Sequence, residues 1–335
     1  MSISKSILYV LVVVSLLTAC RSKDEVSFSM DPVKNVEALW QIIDTKYCYI
    51  DAKDIDWSAI HDEYIAKAAL LPSGNQVALF DLCAGMLDSL QDGHVNLYSA
   101  FDCSYNKAWY DTFPANFNAD IQSLYLHDYR IAGSLYYCTI DNGNVGYIYY
   151  PSFSNSIDAK NLAWVFSAFQ NCQGLIIDVR NNGGGDLTNA YRLAAPFFTA
   201  NQTVGYWHHK TGPGHNDFSA LEPMKLDVSI AQNNQWHKPV VVLCNRMSYS
   251  ATNFFVSIMR YADHSTIVGG VSGGGGGMPM SYEMPCGWTV RFSSVRMYDR
   301  DKKDIEQGIQ PDFLVNMANA DKDNIIEKAI ELIKQ

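Results

Sequence analysis

The sequence has no Cys-x-x-Cys pair, no basic run, no internal repeat and no lysine between Ser250 and Lys302. Each absence removes a class of chemistry. Without paired cysteine ligands a structural zinc site is not expected. Net charge is −10, from 25 basic and 35 acidic residues, which argues against a nucleic-acid partner. The lysine gap means that no ammonium group on the strands following residue 250 can move a proton. The apolar run Ile7–Leu17 is too short for a comfortable membrane-spanning helix. Cysteine is also in short supply for cross-linking. Eight are present, and setting Cys20 aside leaves an odd seven, most of them in apolar stretches where they read as small core residues. Cys103 with Cys138 is the one pair expected to form a disulfide.

What is present is 335 residues with 48 % apolar content, enough for two ordinary domains and a sizeable core. Lys5 followed by the apolar run reads as a targeting segment over 1–19. It ends in Leu17-Thr18-Ala19-Cys20, which resembles the lipobox of bacterial lipoproteins, so Cys20 is the expected lipidation site, opening a tether over 20–31. Ser22-Lys-Asp-Glu25 resembles the acidic signal that sends some lipoproteins to the cell surface. The expected location is the bacterial envelope, lipid-anchored in the outer membrane.

Helical spacing of Val36, Leu39, Trp40, Ile43 and Tyr47, and of Leu79, Leu82, Cys83, Met86, Leu87 and Leu90, predicts a helical domain over 32–99, broken at Leu71-Pro-Ser-Gly74. The second helix is expected to stop at Asp92-Gly93, with Gly93 left-handed and His94 just past it. Residues 100–143 read as a connecting segment. From 144 to 335 strands alternate with helices: strands at Val145–Tyr150, Leu175–Val179, Val204–Trp207, Val240–Leu243, Ile267–Val268 and Thr289–Phe292, and helices at Leu187–Phe198, Ala251–Ala262 and Ile325–Ile333. This is the pattern of an α/β layer architecture.

Two segments in this region fit acyl transfer. Gly174-Leu-Ile-Ile-Asp-Val-Arg-Asn-Asn-Gly-Gly-Gly185 is an apolar strand running into a nearly side-chain-free turn, whose amides can point at a ligand. Asp178 and Arg180, two apart, are expected to pair and brace it. Val240 through Ser250 is a second apolar strand, ending in a serine that opens a helix. Ser250 is equally a good helix N-cap, and Ser248 is a rival nucleophile. A serine needs a proton acceptor. With lysine absent the candidates are histidines: His94 after its helix end, or the looser group His208, His209 and His215, which also suits a metal or a substrate-facing loop.

These segments resemble serine peptidase family 41, the C-terminal-processing and tricorn-like proteases. Four blocks carry the resemblance over roughly residues 35–335: Leu90–Leu97, with Asp92-Gly-His94 before the apolar Val95; Gly174–Gly185, with Asp178, Arg180, Asn182 and the closing glycines; Asn245–Asn253, with Ser250-Ala251 after its strand; and Gly308-Ile-Gln-Pro-Asp312. The resemblance implies an α/β fold of the crotonase and Clp-protease kind with an N-terminal helical domain. The interval 100–143 is too short for the peptide-binding PDZ module of many relatives. It implies Ser250 as nucleophile, His94 as general base, oxyanion donors from Gly184 or Gly185 and from Ala251, and Glu306 orienting the base, with Asp304 behind it. The lysine-branch base falls at Gly275. Two positions depart from relatives: Asn253 stands where the lysine branch has glutamate, and Gly93 where tricorn has serine. The implied activity is that of a serine endopeptidase acting on peptides or unfolded proteins without a cofactor, losing activity below about pH 6 as the histidine protonates. Substrate tails would be held by Gly273–Met280, unless that run is a plain connector, or by His208–Phe218. Two rivals are a non-catalytic peptide or hydrophobic-ligand binder on the same fold, and a metal-dependent hydrolase built on the 208–215 histidines.

Overall fold

The computed structural model describes residues 28–106, 113–232, 234–318 and 321–335. The targeting segment and Cys20 lie outside them. Three helices come first: α1 (Pro32–Lys46), α2 (Trp57–Ala68) and α3 (Gln76–Asp88). Each starts at an acidic or amide N-cap. Asp31, Asp56 and Asn75 accept from the amides of Lys34, Ala59 and Ala78, satisfying donors that the first helical turn leaves open. The apolar stripe of α1 (Val36, Leu39, Ile43) and that of α3 (Leu79, Cys83, Met86, Leu87) are buried.

The remaining chain forms two sheets. The larger runs β12 (Phe313–Leu314), β9 (Ser265–Gly269), β8 (Val240–Cys244), β5 (Gly174–Asp178), β4 (Val145–Tyr149), β3 (Leu135–Ile140), β2 (Arg130–Ala132). It is parallel from β12 through β4 and antiparallel from β4 to β2. Its central strands are mostly apolar because both faces are covered, with Asp178 at the carboxyl end of β5 as the charged exception. Ile148, Ile177 and Val242 point to one core, under α5 (Ala159–Ala168), α6 (Leu187–Ala194) and α7 (Ala251–Met259). Tyr147, Ile176 and Val241 point to the other, where Ile325, Ile326, Ala329 and Ile333 of α8 (Asn324–Ile333) close over them.

The smaller sheet is antiparallel. The long β11 (Thr289–Asp299) pairs with β1 (Asn96–Tyr98), β6 (Gln202–His209) and β10 (Gly277–Glu283), and β7 (Glu222–Leu226) lies outside β6. Here the partition expected from sequence does not follow the packing. The helices α1–α3 share one core with Met284, Trp288, Val290 and Phe292 of the β10–β11 region. The 100–143 stretch, read as a connector, contributes the short helix α4 (Ala119–Ser123) and strands β2 and β3.

Two further expectations are corrected. The left-handed residue after α3 is Gln91 (φ 45°), not Gly93, and α3 ends at Asp88, so a short turn separates His94 from the helix. Cys103 and Cys138 are both free thiols. Cys103 bridges to Tyr98 at the end of β1, whereas Cys138 sits on β3 in the other sheet with its thiol on the Tyr125 carbonyl.

Beneath the carboxyl end of β5, Arg180 is fully buried between Asp178 and Asp323 at 2.7 and 2.8 Å. Removing one partner of such a group leaves an uncompensated buried charge. Arg180→Met is expected to lower unfolding free energy by about 3–5 kcal/mol in urea titration. A loss under about 1 kcal/mol would show that Arg180 does not brace the fold.

Candidate active site

Strands β5 and β8 are parallel neighbours, with Asp178 level with Leu243, so both motif segments leave the sheet at the same carboxyl edge. That edge is where open α/β sheets place their ligands. The two exits are stitched together by short polar side chains. Asn245 accepts from the Asn181 amide at 3.0 Å and donates to the Asn181 side chain at 2.8 Å. Asn182 Oδ1 receives the Thr252 hydroxyl at 2.7 Å and the Gly184 amide at 3.0 Å, while its Nδ2 donates to the Tyr150 carbonyl at 2.8 Å. Ser248, fully buried, donates to the Val179 carbonyl at 2.8 Å and accepts from the Asn245 amide at 3.0 Å, so its hydroxyl is committed to the frame.

Ser250 differs. Its backbone has φ 58° and ψ −119°, a conformation rarely populated outside glycine, and its side chain makes no helix cap. The hydroxyl instead stands 3.0 Å from His94 Nε2. A strained serine between a strand and a helix, turned away from capping and toward an imidazole, is the geometry of an activated nucleophile. The strain is held from both sides. The Ser250 amide donates to the Gly274 carbonyl at 2.9 Å, and the adjacent Tyr249 amide donates to the Asn182 carbonyl at 3.1 Å.

His94 arrives from the other sheet, just before β1. Its amide donates to Asp92 Oδ1 at 2.7 Å, its carbonyl receives Arg291 at 3.3 Å, and its ring packs on Tyr249 with centroids 4.7 Å apart. Nδ1 faces Ser293 Oγ at 3.5 Å, and that hydroxyl lies 3.3 Å from Asp92 Oδ2. The orienting group expected from sequence is therefore replaced. Glu306 pairs with Lys53 at 3.0 Å, Asp304 pairs with Arg296, and neither touches the imidazole. Ser293 and Asp92 occupy that place. Sequence reading missed Ser293 because its hydroxyl reaches the site only through pairing of β11 with distant strands.

The glycine turn also sorts its donors. The Gly184 amide is taken by Asn182, whereas the amides of Gly185 and Ala251 donate to no acceptor among the described residues. Gly184, at φ +100°, packs so closely that a Cβ there would lie 2.9 Å from that of Ser250. Gly184 thus seats the serine, and the two available amides beside it are those of Gly185 and Ala251. They suit a developing oxyanion.

The departures noted in sequence have structural accounts. Gly275, at the lysine-branch position, lies against the Tyr249 ring, which fills the space a longer side chain would need. Asn253 is buried and holds Ser272 at 2.6 Å and the Ile305 carbonyl at 3.0 Å, away from Ser250. The Gly273–Gly277 run is a buried segment rather than a loose connector, and Gly274 carries the Ser250 amide. The 208–215 histidines do not converge. His208 stacks on Phe218, His209 faces Glu222, and His215 spans Asp44 and Asp51 at 2.8 Å each.

The family model for peptidase family S41 matches residues 144–315, and that for the tricorn protease C1 domain matches 34–88. The chain belongs to peptidase family S41. A candidate peptidase from Parabacteroides merdae has a solved structure that superposes at TM-score 0.86 with 43 % identity, over 91 % of this chain and 97 % of that one. The carboxy-terminal processing protease CtpB of Bacillus subtilis is 27 % identical over 184 residues, 52 % of this chain and 36 % of that protein. Mature CPAF shares the fold at TM-score 0.67 and 12 % identity, over 91 % of this chain and 98 % of that one. The chain spans about a third of the length of the curated S41 relatives it matches (33 % and 36 %).

His94 is only 3 % exposed. Burial lowers its pKa to about 4; Asp92 opposes the shift, and Arg291 and Lys53 add to it. At neutral pH the ring is therefore uncharged and able to accept a proton. Histidine-selective NMR of this S41 chain should find one imidazole titrating near pH 4 and lost in His94→Gln. A titration of His94 at the ordinary value near 6.5 would contradict its burial.

Proposed function

We propose that this chain is a serine endopeptidase of the carboxy-terminal-processing type, with Ser250 as nucleophile and His94 as general base. The observation that carries the reading is the 3.0 Å contact between Ser250 Oγ and His94 Nε2, beside two uncommitted amides. Ser250 Oγ attacks the peptide carbonyl as His94 Nε2 takes its proton, and the carbonyl oxygen gathers charge against the Gly185 and Ala251 amides. Collapse of the tetrahedral species expels the amine, which leaves with the proton from His94. Water then attacks the acyl-serine ester with His94 again as base, releasing the acid and restoring Ser250. Asp178 and Arg180 support the turn and take no part in bond changes.

A cavity of about 240 Å³ adjoins Ser250, lined by Gly185, Leu187, Met278, Pro279 and Met297 among others. It reaches the nucleophile and the oxyanion turn but not His94. Since the base must reach the leaving amine, the cavity lies on the acyl side and suits an apolar side chain there.

Incubation with a mixed peptide library is the test. Cleavage is expected with apolar residues enriched on the acyl side of the cut. Ser250→Ala should cost on the order of a millionfold in turnover. A fluorophosphonate should label Ser250 in the wild type alone. A folded wild type that neither cleaves nor reacts would leave the fold as a peptide or hydrophobic-ligand binder. Because protonation of His94 removes the base, kcat/KM should fall only toward its pKa of about 4, rather than near the pH 6 expected of an exposed histidine.

We also place the protein at the bacterial envelope through a lipidated Cys20, on the strength of the Leu17-Thr-Ala-Cys20 pattern. Expression of the whole chain should yield a detergent-phase protein that becomes aqueous in Cys20→Ala. Equal partitioning of both would rule out the anchor.

A further inference from the structure

The helical segment ahead of β1 does more than pack. The turn leaving α1 sends two side chains under the His94 loop. Tyr47, fully buried, donates its hydroxyl to Asp92 Oδ2 at 2.9 Å. Lys53, at the end of the single turn Asp51–Lys53, places Nζ 3.0 Å from Glu306 Oε1 and 3.7 Å from Asp92 Oδ2. The same ammonium lies 3.4 and 3.3 Å from the carbonyls of Leu90 and Gln91. Lys53 thus grips the loop at three successive residues, Leu90, Gln91 and Asp92, and ties it to Glu306.

Glu306 has little else to pair with. Glu306 Oε2 is buried with no hydrogen-bond partner, and Lys53 is the only ion-pair partner of Glu306 among the described residues. Asp92 passes the constraint on, because Oδ1 holds the His94 amide and Oδ2 meets the Ser293 hydroxyl that faces His94 Nδ1. The groups facing Lys53 are Tyr47, Cys48 and Tyr49 from its own segment, Asp92 from the His94 loop, and Glu306 from the segment after β11. Arg291 and Arg296 of β11 and Asp304 complete the charged surroundings. Burial opposes the charge on Lys53, but Asp92 and Glu306 outweigh it and keep it protonated. Burial and the neighbouring Asp92 push Glu306 upward, against the pull of Lys53.

We propose that Lys53 and Tyr47 are positioning residues for His94: by fixing Asp92 from below they hold the imidazole on Ser250, so the N-terminal helical segment completes the active site. The proposal rests on the reading of Ser250 and His94 as the reacting pair and adds a role that the four family blocks do not contain.

The test compares Lys53→Met, Lys53→Arg and Tyr47→Phe in the full chain, each checked for wild-type circular dichroism. Lys53→Met should lower kcat at least tenfold with KM within threefold. It should also move the acid limb of kcat/KM upward, because a positive charge that disfavours imidazolium is gone. Lys53→Arg should restore the limb to near pH 4 and most of kcat. A folded Lys53→Met with wild-type kcat overturns the proposal, and so does a loss of kcat with the limb unmoved, which is what a merely structural lysine gives. Should Lys53→Met not fold, Tyr47→Phe decides. That variant keeps the ring and removes one donor; it should lower kcat at least threefold at constant KM, and wild-type kcat overturns the proposal. If instead the wild type is inactive or Ser250→Ala remains active, the protease reading itself has failed, which separates the two outcomes.

Discussion

The site depends on one residue held against its backbone preference. Ser250 sits at φ 58°, ψ −119°, which for a side-chain-bearing residue is stable only where neighbours over-determine it. The Gly274 carbonyl fixes its amide, and the helix it opens fixes its carbonyl through the Phe254 amide. Gly184 packs against its Cβ, where any larger residue would collide. The consequence is directional. A serine in ordinary extended backbone would turn its hydroxyl back to cap α7; this one cannot, so the hydroxyl is delivered to His94.

The second partner is supplied by different physics. His94 is not strained; it is buried and charge-tuned. It comes from the β1–β11 sheet, and the helices and that sheet share a core, so its position relative to Ser250 is set by apolar packing of Val290 and Phe292 against α1 and α3. The same burial that positions the ring strips it of charge. One structural fact therefore yields both geometry and protonation state. The cost is a cluster of buried carboxylates, Asp92 and Glu306, that keep the loop polar enough to turn. Lys53 lies against both, so its cation becomes part of the balance.

The strands and helices around the two motif segments were legible in the sequence because both faces of the parallel sheet are covered. Continuous runs such as Leu175–Val179 and Val240–Leu243 allow few other readings. The proximity of Ser250 and His94 was legible only through the family blocks, since 156 residues separate them and no local pattern encodes their meeting. Illegible were features that depend on who pairs with whom. β2 and β3 were lost in a stretch read as a connector: β2 is a three-residue edge strand, too short to show a period, and β3 pairs beside it. Gly93 was taken for the left-handed residue because glycine favours that region, yet Gln91 holds it. Glu306 was expected on the imidazole from its place near a motif, but a buried carboxylate goes to the nearest buried cation, and that cation, Lys53, lies in a segment that sequence reading treated as plain helix.

The glycine run at 273–277 shows why a motif need not be chemical to be indispensable. A Cβ on Gly274 would run into the Glu306 carbonyl, and one on Gly276 would come within 2.7 Å of the Glu306 amide. Gly308, at φ +90°, is pressed in the same way against the Ser272 carbonyl, and Ser272 Oγ accepts from the Ile309 amide at 2.7 Å. The segments 272–277 and 305–309 are thus two backbones packed face to face with no room for side chains. The first lends its Gly274 carbonyl to Ser250, while the second carries Glu306 to Lys53. The Gly308-Ile-Gln-Pro-Asp312 block therefore acts at a distance. It presses against the glycine run whose Gly274 carbonyl holds the Ser250 amide, and it follows closely on Glu306, the far end of the charge cluster beneath His94.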